Sequence, residues 1–268
     1  MIETLSLLGT AWAAVAVLMA VLWLVHLRIA NAAIVDAGWA FGLPLAALLY
    51  AAYAPQPGAR LLVLVAMFVV WGGRLGTYLL MTRVVGHPEE GRYQELRRRW
   101  RTNLPLKFFL FFQAQAVLGV LLSLPSLLVA RSPVGAFSVV EAIGLVIWAV
   151  GVAGETTADA QLARFKRVAA NRSRTCRAGL WHYSRHPNYF FEWLVWIAYA
   201  VYALGSPYGW LALGCPALML YFLFRVTGIP ATEDQALRTR GDDYRRYQQT
   251  TSAFAPWFPK RLPHDDSR

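Results

Sequence analysis

The chain has 268 residues, of which 57% are hydrophobic and only 15% charged, and it carries 11 tryptophans and a net charge of +11. A soluble domain of this size has about a quarter of its residues charged, so this composition argues against a soluble enzyme and for a membrane protein. The positive charge could suggest nucleic acid, but the apolar content argues otherwise, and nearly all of the charge lies in the polar segments outside the apolar runs.

Seven apolar runs, each close to the ~20 residues that cross a bilayer, lie at about 5–26, 37–54, 60–80, 107–130, 138–158, 189–205 and 208–227. The first follows Glu3 and precedes Arg28, with no basic segment in front, so it is expected to be a retained helix and not a cleaved signal. The second begins in Asn31-Ala-Ala-Ile-Val-Asp-Ala-Gly-Trp39 and contains Pro44. Asp36 stands there either as a helix N-cap or as a substrate-site acid. The third carries Arg74 within Trp71-Gly-Gly-Arg-Leu-Gly76. A cation at that depth should face the bundle interior, paired with Asp36 or Glu155 or touching a ligand.

The polar segment Gly91-Arg-Tyr-Gln-Glu-Leu-Arg-Arg-Arg-Trp100 is strongly basic. It suits either anionic lipid or a phosphate clamp in which Tyr93 reaches inward. The fifth run exits with Glu155, Asp159 and Lys166 spaced to share one helix face, flanked by Arg164 and Arg167. These groups could bind a polar ligand or pair with one another.

The stretch Gly179-Leu-Trp-His-Tyr-Ser-Arg-His-Pro-Asn-Tyr-Phe-Phe-Glu192 follows. Pro187 suits the first turn of a helix, leaving Arg185 and His186 at its start and Asn188 and Glu192 on one face just inside. Free N–H groups preceded by an arginine make an anion site. His182 and His186 are four apart, but Pro187 keeps them off one regular helix and no third ligand accompanies them, so no metal is expected. After the last run, Arg225, Glu233, Asp234, Asp243, Tyr244, Tyr247 and Phe254-Ala-Pro-Trp-Phe258 suggest a polar and aromatic cap, or simply a solvated amphipathic helix.

All the Lys and Arg except Arg60, Arg74 and Arg131 fall in segments that lie on one side if the seven runs alternate. Positive residues stay cytoplasmic, which places the N-terminus outside and the C-terminus inside. The expected fold is all-α: a polytopic membrane helix bundle of about seven transmembrane helices, with one domain over 1–259 and a polar tail over 260–268. Cys176 and Cys215 fall in a loop and a span, so no disulfide is expected.

Four pieces of this chain resemble the steroid 5-alpha-reductase superfamily. They are Asp159-Ala-Gln-Leu-Ala-Arg-Phe-Lys166, Gly179–Tyr189 with Glu192, Gly241-Asp-Asp-Tyr-Arg-Arg-Tyr247 and Ser252-Ala-Phe-Ala-Pro-Trp-Phe258. Its bacterial branch, long catalogued as a domain of unknown function, is the closest likeness; Asn31…Asp36…Trp39 and Arg92-Tyr-Gln94 also look like that branch. The resemblance covers most of the chain and is strongest over about 155–259. It implies a seven-helix reductase of the bacterial inner membrane that holds NADPH on the cytoplasmic side. The same likeness makes Asp159, Arg164, Lys166, Trp181, Arg185, His186, Asn188, Tyr189, Glu192, Arg225, Asp243 and Tyr244 expected cofactor contacts.

Steroid-reducing members pair an acid in the second span with a tyrosine in the third, for which Asp36 and Tyr78 are the positional candidates here. Hydride transfer to a conjugated carbon–carbon double bond would need a donor at the carbonyl oxygen, and Tyr78, Asp36 or Arg74 could supply it. The substrate would be lipophilic and drawn from the bilayer, with membrane lipids as neighbours and no obligate protein partner. One rival is an S-adenosylmethionine-dependent methyltransferase resembling the isoprenylcysteine carboxyl methyltransferases, which share an Arg-His-Pro-x-Tyr core. Another is a non-catalytic lipid-binding protein, although no internal repeat marks a transporter.

Overall fold

A computed structural model describes residues 2–55, 57–171, 173–226 and 228–260. Among them every regular element is a helix. Twelve α-helices follow one another: α1 Ile2–Ile29, α2 Ile34–Ala52, α3 Ala59–Leu79, α4 Gly91–Trp100, α5 Leu104–Leu122, α6 Leu124–Ala130, α7 Val139–Arg167, α8 Leu180–Tyr183, α9 Pro187–Ala203, α10 Gly214–Arg225, α11 Ile229–Arg240 and α12 Asp242–Thr250. A π-turn, Leu80–Val84, continues α3, and a 3-10 turn, Gly209–Leu213, leads into α10.

Among the described residues, six stretches are long and apolar enough to cross a membrane: Glu3–Ile29, Ile34–Ala52, Ala59–Val84, Leu104–Leu122 and Val139–Arg167, and one within Gly209–Arg240, whose apolar part is the 3-10 turn and α10. The chain is thus an integral multi-pass helical protein. The sixth apolar run forms α9, which at 17 residues stands at the lower end of spanning length, and the seventh forms the 3-10 turn and α10. The run at 107–130 is not one helix. It breaks at Ser123 into α5 and α6, because Pro125 has no N–H to continue the ladder.

The chain forms two compact units, residues 1–143 with 199–215, and residues 144–198 with 216–268. In the first, α1 buries Leu7, Ala11, Val15 and Met19 along one stripe, and α2 packs between α1 and α3. Pro44 does not interrupt α2; the helix runs through it. Proline at that position leaves the Ala40 carbonyl without its usual N–H partner. Gly72 of α3 sits against that carbonyl, where an added Cβ would lie 2.5 Å from Ala40 O and 2.6 Å from Pro44 Cγ. Lipid is as apolar as a helix surface, so close backbone approach and dispersion contacts hold such a pair together. Phe68 stacks on Tyr199 with ring centroids 4.0 Å apart, and Trp71 meets Tyr199 edge-on at 6.2 Å.

The same unit buries an ionic knot. Arg60 is 2% exposed and Glu141 1%, with Nε donating to Oε1 at 2.6 Å. The remaining guanidinium N–H groups donate to Ser132 Oγ, the Val134 carbonyl and Ser206 Oγ, and Ser138 donates to the second Glu141 oxygen. A Cβ at Gly205 would run into Glu141. Burying two charges is affordable only when further hydrogen bonds of this kind surround the pair.

In the second unit, Gly154 of α7 lies where a Cβ would enter the Phe191 ring of α9. The chain after α12 is an extended strap. Ser252 O accepts from Arg185 N (2.8 Å), Phe254 O accepts from Ser184 Oγ (2.7 Å), and Trp257 N donates to Tyr183 O (2.9 Å). Phe254 is thereby set among Phe190, Trp193 and Phe224 at centroid distances of 5.5, 5.8 and 5.2 Å.

Candidate functional site

Each unit gathers polar groups of its own. In the first, the segment joining α1 to α2 is tied to the turn after α3 by Asn31, whose amide donates to the carbonyls of Arg83 and His87 and whose Oδ1 accepts from Ala33 N. Glu89 accepts from Ala32 N at 2.8 Å and from Arg97 Nε at 2.7 Å. These bonds bring α4 over the first turn of α2.

Asp36 is the third residue of α2 and caps nothing; Ala33 holds the cap position without a side-chain bond. The N-cap reading of Asp36 is therefore corrected. Its carboxylate instead accepts from Tyr93 Oη at 2.7 Å, from Arg92 and, at 3.4 Å, from Arg83 Nη1. Glu90 braces both arginines at 3.1 Å. Tyr93 is buried, as the inward-reaching reading expected. Burial pushes its phenol well above the ordinary value of 10.0, Arg92 opposes this and Asp36 adds to it, so Tyr93 Oη keeps its proton. Tyr93, on α4, thus brings a phenol to Asp36, and Tyr78 lies half-buried on α3, four residues and one turn from Arg74. No sequence signal distinguished the two tyrosines, because Tyr93 is 57 residues from Asp36 in the chain.

In the second unit, Pro187 does begin a helix, with His186 before it. The predicted cofactor residues divide into groups there. Asp159 is 4% exposed and accepts from Asn188 Nδ2 at 3.4 Å. Trp181 donates to the Ala158 carbonyl at 2.9 Å, and Gln161 accepts from Leu180 N at 2.9 Å, so α8 is docked on α7 beside that pair. Glu155 is buried one turn before Asp159, and Arg164 and Lys166 stand exposed at the far end of α7. Glu192 follows Asn188 by one turn on α9 and is half-buried.

A second group converges on Glu233 of α11. Its carboxylate accepts from Arg185 Nε (2.7 Å), Gln248 Nε2 (2.8 Å) and Tyr244 Oη (3.3 Å), and lies 3.2 Å from His186 Nε2. Arg185 also donates to the carbonyls of Gln248 and Thr251 at 3.0 and 2.8 Å. Its fork holds the strap and α12 in place. His186 stacks on Tyr189, whose hydroxyl is 3.2 Å from Thr232 Oγ1. Burial lowers the His186 pKa below its ordinary 6.5 against the pull of Glu233, so the ring is neutral near pH 7. Burial pushes the Tyr244 phenol up, helped by Glu233.

Asp243 stands apart from that group. It accepts from Thr175 N (2.7 Å) and Arg177 Nη2 (2.9 Å), pinning the loop after α7. Burial would raise its carboxyl, but Thr175 and Arg177 outweigh that and hold it below 3.8. Arg225 is exposed at the end of α10. Glu233 was legible only as one acid in a polar tail; its selection as the hub depends on folding α11 back over Arg185.

Residues 22–251 match the profile of a protein family described as being of unknown function, DUF1295, which lies in the steroid 5-alpha-reductase-like group. No curated protein and no solved structure matches the chain.

Proposed function

We propose, for a chain that belongs to the DUF1295 family of the steroid 5-alpha-reductase-like group, a membrane reductase that uses NADPH to saturate a conjugated carbon–carbon double bond in a lipophilic substrate. The observation that carries this reading is the pairing of buried Asp159 with Asn188, on a helix whose exposed end presents Arg164 and Lys166. That donor set suits a dinucleotide phosphate: an amide and a carboxylate for its hydroxyl and amide groups, and cations for its phosphates. Asp159, Asn188, Arg164 and Lys166 are the residues that would hold it, and Trp181 and Gln161 keep α8 in place beside the pair. The bound nicotinamide supplies a hydride.

The rest belongs to the protein. In the first unit, Tyr93 Oη and Arg92 are donors fixed by Asp36, and donors set in advance stabilise the charge that develops on a carbonyl oxygen as its conjugated double bond is reduced. Asp36 is the positioning acid, and Tyr93 joins Tyr78 and Arg74 as a candidate polarising group. Arg185, His186 and Tyr244 act through Glu233 to hold the cap.

The decisive experiment measures NADPH binding to the purified full chain in lipid nanodiscs, with NADH and S-adenosylmethionine in parallel. NADPH-selective binding that weakens about tenfold or more in Asn188→Ala and Lys166→Ala, each loss worth about 1.4 kcal/mol, supports the reading. Selective binding of S-adenosylmethionine overturns it in favour of methyl transfer.

A further inference from the structure

Beyond the spans, the most exposed aromatic pair of the chain is Trp257 and Phe258, at 73% and 76%. Exposed Leu and Val on a span face acyl chains and call for no explanation, but these two side chains are not on a span. They follow α12, which is polar, on a strap without regular structure. Yet the strap is not loose. Its backbone is bonded at Ser252, Phe254 and Trp257 to residues 183–185, directly before Pro187 begins α9, and Lys260 N closes it with a bond to Thr250 O at 2.8 Å. The strap therefore lies at the level where α9 starts its apolar run. Tyr183, itself exposed, meets Phe258 edge-on at 5.9 Å and accepts a backbone bond from Trp257 N, so the three aromatic residues are tied together at one place. Lys260 is exposed beside them, and Arg261 follows in the sequence.

Rigidly presented aromatics next to cations have a physical match. Amphipathic rings settle in the headgroup region of a bilayer, and lysine and arginine beside them favour anionic lipid. We infer that Trp257, Phe258 and Tyr183 form an interfacial anchor that seats the C-terminal strap in the anionic headgroup layer of the membrane the chain crosses, with Lys260 facing the lipid phosphates. The strap's bonds hold the backbone that carries these side chains in place before they meet lipid, so little backbone ordering remains to oppose insertion. Through Ser252 and Phe254 the anchor bears on Ser184 and Arg185, and it ties the cap to the membrane surface.

The test uses the full chain in proteoliposomes. The emission of wild type minus that of Trp257→Phe isolates one indole among the 11 tryptophans. In vesicles of phosphatidylcholine and phosphatidylglycerol, that difference emission is expected to be blue-shifted, protected from aqueous iodide, and quenched by lipids brominated near the headgroup. Quenching should fall in Lys260→Glu and in vesicles of phosphatidylcholine alone. Emission at the wavelength of a hydrated indole, quenched by iodide, overturns the anchor. Protection from both iodide and brominated lipid also overturns it, because the pair is then covered by protein. An environment-sensitive dye on Phe258→Cys repeats the measurement independently, since Cys176 and Cys215 are both buried.

Discussion

Tyr93 and His186 carry the residue-scale expectations. Tyr93→Phe deletes one hydroxyl whose proton goes to a carboxylate. It should cost about 1.5–3 kcal/mol of stability, the usual worth of a hydrogen bond to a charged group. If Tyr93 polarises a substrate, kcat should fall about 100-fold or more while NADPH affinity is unchanged. A Tyr78→Phe protein losing the same kcat with Tyr93→Phe unaffected would return the role to the third span. His186 has a folded-state pKa below its ordinary 6.5. Its neutral form therefore contributes fully above pH 6.5, and the contribution is lost as pH falls through the folded-state value. Arg185, Tyr189 and Glu233 face the ring, and of these Glu233 favours its protonation while Arg185 opposes it. Thermal denaturation followed from neutral pH to about pH 5 should show wild type losing stability more steeply than His186→Gln. Parallel curves would remove the histidine from the cap's acid sensitivity.

The helices and the strap set different expectations. Arg185 bonds Glu233 and two carbonyls of the last helical turn and strap, so Arg185→Ala should first release the C-terminal cap. Limited proteolysis should cut within 240–260 in that variant before any other segment opens. Asn188→Ala, by contrast, should leave the proteolytic pattern intact and weaken cofactor binding. Cofactor binding lost in proportion to cap release in both variants would make Asn188 structural as well. On α3, Gly72→Ala meets a backbone carbonyl and a proline ring, neither of which can move cheaply. It should cost about 1–3 kcal/mol by overpacking, whereas Gly73→Ala, with open space at its Cβ, should be nearly silent in the same thermal assay.

At the scale of the whole molecule, Arg60 and Glu141 join α3, α7 and the turn at Ser206. Arg60→Met leaves a buried carboxylate behind and should cost about 3–5 kcal/mol; adding Glu141→Leu should recover part of it. Greater loss in the double variant would mean that the serine and carbonyl bonds, not the ion pair, hold the knot. Charge predicts the side of the membrane: on the positive-inside expectation, Thr102→Cys should react with an impermeant thiol reagent only from the cytoplasm, and Gly135→Cys only from outside. The reverse labelling would invert the topology. Much of this was legible in the chain itself. A bilayer offers the backbone no hydrogen bonds, so an apolar run of spanning length must be a helix, and the spans could be placed from composition alone. Pro187 likewise fixed a helix start, because its ring excludes other local geometries. Partners were another matter. Asp36 lies 57 residues from Tyr93, and Arg185 lies 48 from Glu233. Tyr78 and Tyr93 are equally available in sequence, as are Glu233 and Asp234, and a hydrogen bond forms only within about 3 Å. Choosing between them required the packing of α4 over α2 and of α11 over the start of α9, which is decided by side chains distant in the chain. Composition determined that this protein crosses a membrane as helices; tertiary packing alone decided which acid meets which donor.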